Sequence, residues 1–195
     1  MGVRKSTEER QMEIANAAIK IIGDQGLRDF TIARLAEEVG IKDGSIFRHF
    51  KDKQEILNAV IERIEEILVA TAPRELDDPL KRLEAFLTTR MHAVASQPGL
   101  LSIVFSDQLT HAMGDDGRRR VAELRNRGRA FVRSCLEEAV EKKLINSDTD
   151  IESSALLING MVMSLLFASK DGAIEGPIEQ AGRRAWRAFA QLLRR

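Results

Sequence analysis

The sequence predicts an all-α protein, and three observations support that prediction. Strong helix formers dominate the 195 residues, whereas tyrosine is absent and only 4 prolines occur. Apolar residues recur at helical spacing and show no convincing alternating pattern. Helix-capping patterns separate the apolar segments from one another. We therefore expect a chain of about nine helices, with boundaries accurate to a few residues.

Four helices are predicted in the first part of the chain, and the third of them is very short. A capping box, in which a Ser or Asp precedes a Glu by three positions, opens the first and the fourth helix. Glycines end the first two helices. The predicted boundaries are, in chain order, Ser6 to Gly26, Thr31 to Gly40, Lys42 to Phe50, and Asp52 onwards. We place an N-terminal domain at residues 1–53 and a helical body at residues 54–195.

Five more helices are predicted after Pro73 and Pro79, which mark a linker. Four of them lie near residues 80–96, 98–111, 116–143 and 150–169, and the last has Pro177 in its first turn. The apolar tract from Ala155 to Ala168 is broken by two polar residues. Because this tract is shorter than a bilayer-spanning helix, we expect a buried helix and no membrane contact.

Composition limits the possible functions. The formal net charge is +0, so any contact with nucleic acid must come from a local surface. The single cysteine, Cys135, excludes an internal disulfide, and His49, His92 and His111 form no metal-binding pattern. The N-terminus lacks the apolar segment of a signal peptide, so we expect a cytoplasmic protein. We predict no catalytic residues, no cofactor and no metal site, and an enzyme is the disfavoured class.

Residues 40–57, GIKDGSIFRHFKDKQEIL, form the second half of a predicted helix-turn-helix. Ile46 and Phe50 are spaced to face a small core, and the small side chains of Gly44 and Ser45 allow the helix N-terminus to approach DNA. Candidate donors to phosphate oxygens are Lys42, Arg48, His49, Lys51 and Lys53. Periodicity alone leaves open an ordinary helical hairpin with a solvated charged face.

A longer segment, residues 31–57 (TIARLAEEVGIKDGSIFRHFKDKQEIL), resembles the signature of the TetR (AcrR-type) transcriptional regulators. The matching positions are Thr31, Leu35–Ala36, Gly40–Ile41, Gly44–Ser45, Phe47, His49–Phe50, Lys53 and Leu57. The resemblance implies a helix-turn-helix domain with a recognition helix at about residues 43–50. It further implies a homodimeric regulator of transcription, most often a repressor, that binds a palindromic operator in double-stranded DNA.

The resemblance also assigns roles to individual residues. The positions that match phosphate contacts are Thr31, Ser45, Phe47, His49 and Lys53. The positions that match base contacts are Ile32, Ala33, Lys42, Asp43 and Gly44. Arg34 lies near the groove edge, and Arg4 with Lys5 resembles a flexible arm that reaches the backbone or the minor groove.

Two positions depart from the family pattern. Phe47 stands where the family usually has Tyr, so a phenolic hydrogen bond to phosphate is missing. Lys42 stands where the family often has a Ser or Thr that caps the recognition helix. Asp43 can replace that cap, or it can accept a hydrogen bond from a cytosine amino group in the major groove. We prefer the capping role and leave the base contact as the alternative.

The resemblance implies that the helical body binds an unknown small-molecule inducer and that its last two helices pair with a second subunit. The predicted helix near 150–169 is apolar nearly all round and carries small residues, which favours a dimer interface over a fully buried helix. The expected interface residues are Leu156, Gly160, Met163, Ser164, Phe167, Trp186 and Phe189. The candidate pocket residues are Arg90, Met91, Phe105, Gln108, Met113 and Arg125.

Two further interpretations concern the body. Seven arginines lie between Arg118 and Arg133, and most fall outside the apolar stripe, so we interpret them as a solvated face. Arg125 lies nearest the stripe and can meet an acidic ligand. The alternative function keeps DNA binding but replaces the small-molecule inducer with protein partners or chromosome organisation.

Overall fold

A computed structural model describes residues 6–70, 75–97, 99–105 and 113–194. Within these ranges the chain forms nine α-helices and no strand, which confirms the predicted all-α class. The helices are α1 (Thr7–Gln25), α2 (Ile32–Val39), α3 (Asp43–Ile46), α4 (Lys53–Ala70), α5 (Pro79–Ser96), α6 (Gly99–Phe105), α7 (Gly114–Glu141), α8 (Ile151–Lys170) and α9 (Ile178–Leu193).

The capping pattern that opens α1 forms as predicted. The backbone N–H of Glu9 donates to Ser6 Oγ at 3.1 Å, and the backbone N–H of Ser6 donates to the Glu9 carboxylate at 2.7 Å. At the start of α4, Asp52 accepts from the backbone N–H of Glu55 at 2.8 Å. The Glu55 carboxylate there accepts from the backbone of Lys51 instead of Asp52. The reciprocal pair predicted for α4 is therefore displaced by one residue.

The start of α5 corrects the predicted linker. Pro79 is the first residue of α5 rather than part of a connection. Asp78 accepts from the backbone N–H groups of Leu80 at 2.8 Å and Lys81 at 3.3 Å, which makes it the cap of this helix. Proline is tolerated in the first turn because its missing N–H has no intrahelical partner there. Pro73 lies outside the described residues.

The chain divides into two compact units. Unit 1 contains Met1–Ile67 and Gln97–Glu123, and unit 2 contains Leu68–Ser96 and Leu124–Arg195. In unit 1, α1 packs against α2 and α6, and α2 packs against α3. In unit 2, α9 packs against α5 and α8, and α5 also contacts α8. Unit 1 thus combines the N-terminal helices with α6, although α5 lies between them in the sequence and belongs to unit 2. The domain boundary after residue 53 stays a prediction.

A glycine pair joins α1 to α6 in unit 1, and the Asn16 amide of α1 contacts Arg63 of α4 and Gln97 just before α6. A Cβ atom added to Gly23 would lie 1.9 Å from Cα of Gly99, so the two backbones touch where the helices cross. Nearby, Asn16 Oδ1 accepts from Arg63 Nε at 3.1 Å and from Gln97 Nε2 at 3.0 Å. Since no side chain larger than hydrogen fits at position 23, this crossing depends on glycine.

The helix α8 differs in two ways from its prediction. It is 20 residues long, and by length and composition it is apolar enough to cross a membrane, although the tract Ala155–Ala168 alone is too short. Its sides also differ: Ile158 and Leu166 are buried, whereas Leu156 and Phe167 are exposed. One side of α8 therefore belongs to the core of unit 2 while another side is uncovered, so the expectation of a buried helix holds only in part.

Candidate nucleic-acid interface

The third helix is anchored as the sequence predicted. Ile46 and Phe50 are 0% and 4% exposed, and they lie in a core that includes Ile14, Ile21 and Leu35. Val39, whose spacing also predicts a core position, is only partly buried. Because the apolar side chains of α3 point inward, its remaining residues are presented to solvent as a group.

The helix α3 is shorter than the predicted recognition helix. It ends at Ile46, and residues 47–49 form a turn. The backbone carbonyl of Ile46 accepts from His49 N at 3.0 Å and from Phe50 N at 3.1 Å, so the last turn is tightened toward 3₁₀ geometry. Gln11 Nε2 donates to the carbonyl oxygen of His49 at 2.9 Å. This α1 side chain fixes the turn, and no pattern in the sequence indicates it.

The expectation that Asp43 caps α3 is wrong. Lys42 occupies the N-cap position, and its side chain makes no capping hydrogen bond. Asp43 is the first helical residue, where a carboxylate interacts favourably with the helix dipole without closing a capping bond. Its side chain is exposed, so the alternative role, a hydrogen bond from a base, stays a prediction.

We define the α3 surface as the exposed residues around this helix: Thr31, Ala33, Lys42, Asp43, Gly44, Phe47, Arg48 and Lys51. Ile32, Ser45 and His49, also predicted to contact DNA, are partly buried beside it. Arg4 and Lys5 lie outside the described residues. Most of the predicted contact residues in the described part of the chain are therefore at least partly accessible to solvent.

The cations on the α3 surface differ from those nearby. Lys42, Arg48 and Lys51 form no ion pair with any residue the structure describes. Arg34 instead pairs with Glu37 at 2.7 Å, and that hydrogen bond raises the pKa of Arg34. Lys20 pairs with Glu38 at 2.5 Å, which lowers the pKa of that carboxyl. In the described part of unit 1, the cations without an ion pair are Arg28, Lys42, Arg48, Lys51 and Lys53, and three of these five lie within residues 42–51.

Three predicted phosphate contacts have additional structural features. Thr31 Oγ1 accepts from the backbone N–H of Arg34 at 3.1 Å and so caps α2. Lys53 Nζ donates to the carbonyl oxygen of Phe30 at 2.6 Å and lies 4.8 Å from the centroid of the Phe30 ring. Phe47 is 53% exposed, and its ring has no hydroxyl group to donate. The Lys53 ammonium has three N–H donors and uses one of them on this carbonyl, so it still has donors for a phosphate.

The candidate pocket residues separate into different environments. Met91 is fully buried beside Gly182 in unit 2, and Met113 is buried against Gly117 in unit 1. Arg125 is partly buried. Arg90 lies over the ring of Phe86 in unit 2. Gln108 and the side chain of Phe105 lie outside the described part.

The expected dimer residues are mostly exposed, with one exception. Leu156, Gly160, Ser164 and Phe167 are exposed, and Met163 and Phe189 are partly buried. Trp186 is only 4% exposed and belongs to the core of unit 2, so it is not available at the surface of the protomer. Leu157 and Leu192 are exposed but were not predicted. We define the α8–α9 surface as Leu156, Leu157, Gly160, Ser164, Phe167 and Leu192.

Two family models match the chain. Residues 14–60 match the model of bacterial regulatory proteins of the tetR family, and residues 76–166 match the tetracyclin repressor-like C-terminal domain. The chain belongs to the TetR family. As a TetR-family protein with this helix-turn-helix, it is a DNA-binding regulator.

The relatives of this TetR-family chain include nucleoid occlusion factors and a transcriptional repressor. It is 28% identical over 94% of its length to the nucleoid occlusion factor SlmA of Alteromonas mediterranea, covering 95% of that protein. The match to SlmA of Haemophilus ducreyi is 30% identical but spans 52% of each chain. The HTH-type transcriptional repressor KstR2 of Rhodococcus jostii is 26% identical over 73% of this chain and 71% of the relative.

The solved structures agree on the fold. The ketosteroid transcriptional regulator KstR2 of Mycobacterium tuberculosis has a TM-score of 0.82 at 18% identity, over 100% of this chain and 98% of that one. The structure of AibR in complex with isovaleryl coenzyme A and operator DNA has a TM-score of 0.73 at 18% identity, over 95% and 98% of the two chains. At these identities the likeness shows a shared TetR-family architecture.

Proposed function

We propose that this protein is a homodimeric, cytoplasmic repressor that binds a palindromic operator and leaves it when a small molecule binds the helical body. The observation that carries the proposal is the α3 surface, where exposed cations without described carboxylate partners surround a short helix held by buried Ile46 and Phe50. Such a helix places its N-terminal residues against base edges while flanking cations reach phosphates.

The DNA contacts follow from this geometry. Lys42, Arg48 and Lys51 are available to phosphate oxygens because no described carboxylate neutralises them. Gly44 has open space around its position, so the backbone of α3 can approach a base pair closely. Asp43 is exposed at the first turn of α3, and we propose that it accepts from a cytosine amino group. We propose that Gly44 and Asp43 contact the bases of the operator, that the three cations bind its phosphates, and that Thr31, Phe47 and His49 pack along the DNA backbone.

The α8–α9 surface supports the dimer. Its leucine and phenylalanine side chains are 57–72% exposed, and a helix that exposes several large apolar side chains usually has a partner. Gly160 lies on this surface, and a Cβ atom added to it would meet nothing within 4 Å, so a second helix can approach closely there. A two-fold dimer presents the same surface twice and places two α3 helices on a palindrome.

The experiment that tests the proposal is selection of bound sequences from random double-stranded DNA with the purified full-length protein. We expect enrichment of one palindrome, bound by two protomers, with half-sites about one helical turn or more apart. A protein that enriches no sequence, or that binds every duplex with equal affinity, would not be a sequence-specific regulator. Sedimentation of the free protein gives the oligomeric state independently.

A second candidate function rests on the SlmA relatives. Their similarity extends over nearly the whole chain in the Alteromonas protein, so a role in nucleoid occlusion through protein partners is the alternative. Mapping of binding sites in cells separates the two functions. A few sites at promoters support the repressor, whereas many sites dispersed over the chromosome support the alternative.

A further inference from the structure

Arg90 occupies an aromatic environment inside unit 2. Its guanidinium carbon lies 4.8 Å from the centroid of the Phe86 ring. The Phe86 ring is buried and packs against Phe131 of α7, with 5.2 Å between the ring centroids. A cation therefore lies over one ring of an aromatic pair that joins α5 to α7.

A comparison with Arg82, about two turns earlier on α5, shows what is unusual about Arg90. Arg82 pairs with Glu138 of α7, and that hydrogen bond raises the pKa of Arg82. Arg90 forms no ion pair with any residue in the described part of the chain, and burial lowers its pKa to about 10. Arg90 is only partly buried and still carries its charge at neutral pH, but it has no described carboxylate partner.

A charge that is partly removed from water favours a counter-charge, and an aromatic ring face supplies only part of that compensation. The guanidinium has five N–H donors in a planar fork that matches a carboxylate or a phosphate. The Phe86 ring is 3% exposed and Phe131 is partly buried, so the two rings form an apolar wall next to the Arg90 side chain. The combination fits a ligand with an anionic group joined to an apolar chain or ring.

We propose that Arg90 binds the anionic group of the effector, while the apolar part of the effector lies against Phe86 and Phe131. The inference rests on the proposed ligand control and specifies the chemistry of the ligand. The anionic group is either the carboxylate of a free apolar acid or a phosphate of a thioester such as an acyl coenzyme A. Both sources share the pairing with Arg90, and the test separates them.

The test measures thermal unfolding of the full-length protein with three probes that share one chain: decanoate, decanoyl coenzyme A and decanol. We expect at least one anionic probe to raise the midpoint by about 5–10 °C at a hundredfold excess over its Kd, and decanol to raise it far less. Arg90→Met should remove the advantage of the anionic probe. Lys81→Met, which removes an exposed lysine from the same helix, should keep it.

Two results would overturn the inference. One is a wild-type protein in which decanol stabilises as much as either anion, or in which neither anion stabilises. The other is an Arg90→Met variant that unfolds at a lower temperature than wild type without any probe, because that result indicates a structural role for Arg90. Replacing a partly desolvated charge by an apolar side chain should instead leave the midpoint unchanged or raise it.

DNA binding distinguishes this inference from the proposed function. With the DNA enriched in the selection, Arg90→Met should bind like wild type but should not be released by the anionic probe. If the probe stabilises wild type through Arg90 yet releases no DNA, the result supports the anion site and contradicts the proposed ligand control. If wild type binds no specific DNA, the regulator proposal fails while the unfolding data still decide the role of Arg90.

Discussion

The α3 surface and the α8–α9 surface both expose large apolar side chains, but the charges around those side chains differ. On the α3 surface, Phe47 lies among Lys42, Arg48 and Lys51, which have no described carboxylate partners. On the α8–α9 surface, leucines and a phenylalanine lie beside Gly160 and Ser164, and the nearby Arg133 pairs with Glu137 at 2.8 Å and Glu152 at 2.6 Å.

The difference indicates the kind of partner that each surface suits. Unneutralised cations around one aromatic ring suit a polyanion, because each phosphate contact releases condensed counterions. Apolar side chains beside small residues suit a protein surface, because burial of apolar area drives the association. Exposure of an apolar residue alone therefore does not identify the partner, and the charged and small residues beside it must be considered as well.

The largest expected effect comes from Gly160→Leu on the α8–α9 surface. No atom of the protomer lies within 4 Å of a Cβ at this position, so the leucine fits in the monomer. In a dimer with close helix approach it overpacks the interface, and the dimer Kd should rise roughly 10- to 100-fold. Analytical ultracentrifugation over a dilution series measures this constant.

Gly128→Leu on α7 is the matched control. A Cβ there also meets no atom within 4 Å, but Gly128 is not part of the α8–α9 surface. Both variants gain helix propensity, so a general effect of the substitution would appear in both. Equal dimer constants for Gly160→Leu and wild type would place the interface elsewhere.

The second prediction compares two glycine-to-alanine substitutions in unit 1. Gly44→Ala on the α3 surface meets nothing within 4 Å, so the thermal midpoint should not fall, whereas the affinity for the selected palindrome should drop about tenfold if bases approach the backbone. Gly23→Ala should instead lower the thermal midpoint, because its Cβ would lie 1.9 Å from Gly99 Cα and the backbone of unit 1 would have to shift. Paired unfolding and DNA-binding titrations separate the two effects.

The third prediction concerns the cations of the α3 surface. Arg48→Ala should weaken binding to all DNA sequences alike and reduce the slope of log K against log salt by about 0.9, as expected for one lost phosphate contact. Lys20→Ala is the control, because Lys20 already pairs with Glu38. An unchanged slope in Arg48→Ala would show that this side chain points away from the DNA. Lys53→Ala is a less clear test, since it also removes the contact with Phe30.

Residues with local roles could be predicted from the sequence. Ser6, Thr31 and Gly40 each act within a few residues along the chain, and helix caps depend on such local geometry. The buried positions of Ile46 and Phe50 followed from helical spacing in the same way. Every expected helix has a counterpart in the described part of the chain, although the ends differ by a few residues.

Contacts between distant segments could not be predicted. The crossing of Gly23 with Gly99 and the bond from Gln11 to the carbonyl of His49 join residues far apart in sequence, and neither has a local pattern. Trp186 shows a related error. An aromatic residue on an amphipathic helix can face either the core or a partner, and only the packing of α5 against α9 decides between them.

The smallest expected effect comes from the cap of α8, which lies next to the α8–α9 surface. The Asp150 carboxylate accepts from the backbone N–H of Ser153 at 3.0 Å, and this hydrogen bond lowers the pKa of Asp150 below its ordinary value of 3.8. A lowered pKa in the folded state adds stability above pH 3.8, and that stability is lost as the pH falls through the folded-state pKa. Asp150→Asn keeps a capping oxygen but removes the charge, so its thermal midpoint at pH 7 should lie about 1–3 °C below that of wild type. The difference should shrink to nothing below the folded-state pKa, where both side chains are neutral. A gap of the same size at every pH would mean that the charge of Asp150 contributes nothing and that only the shape of the cap matters.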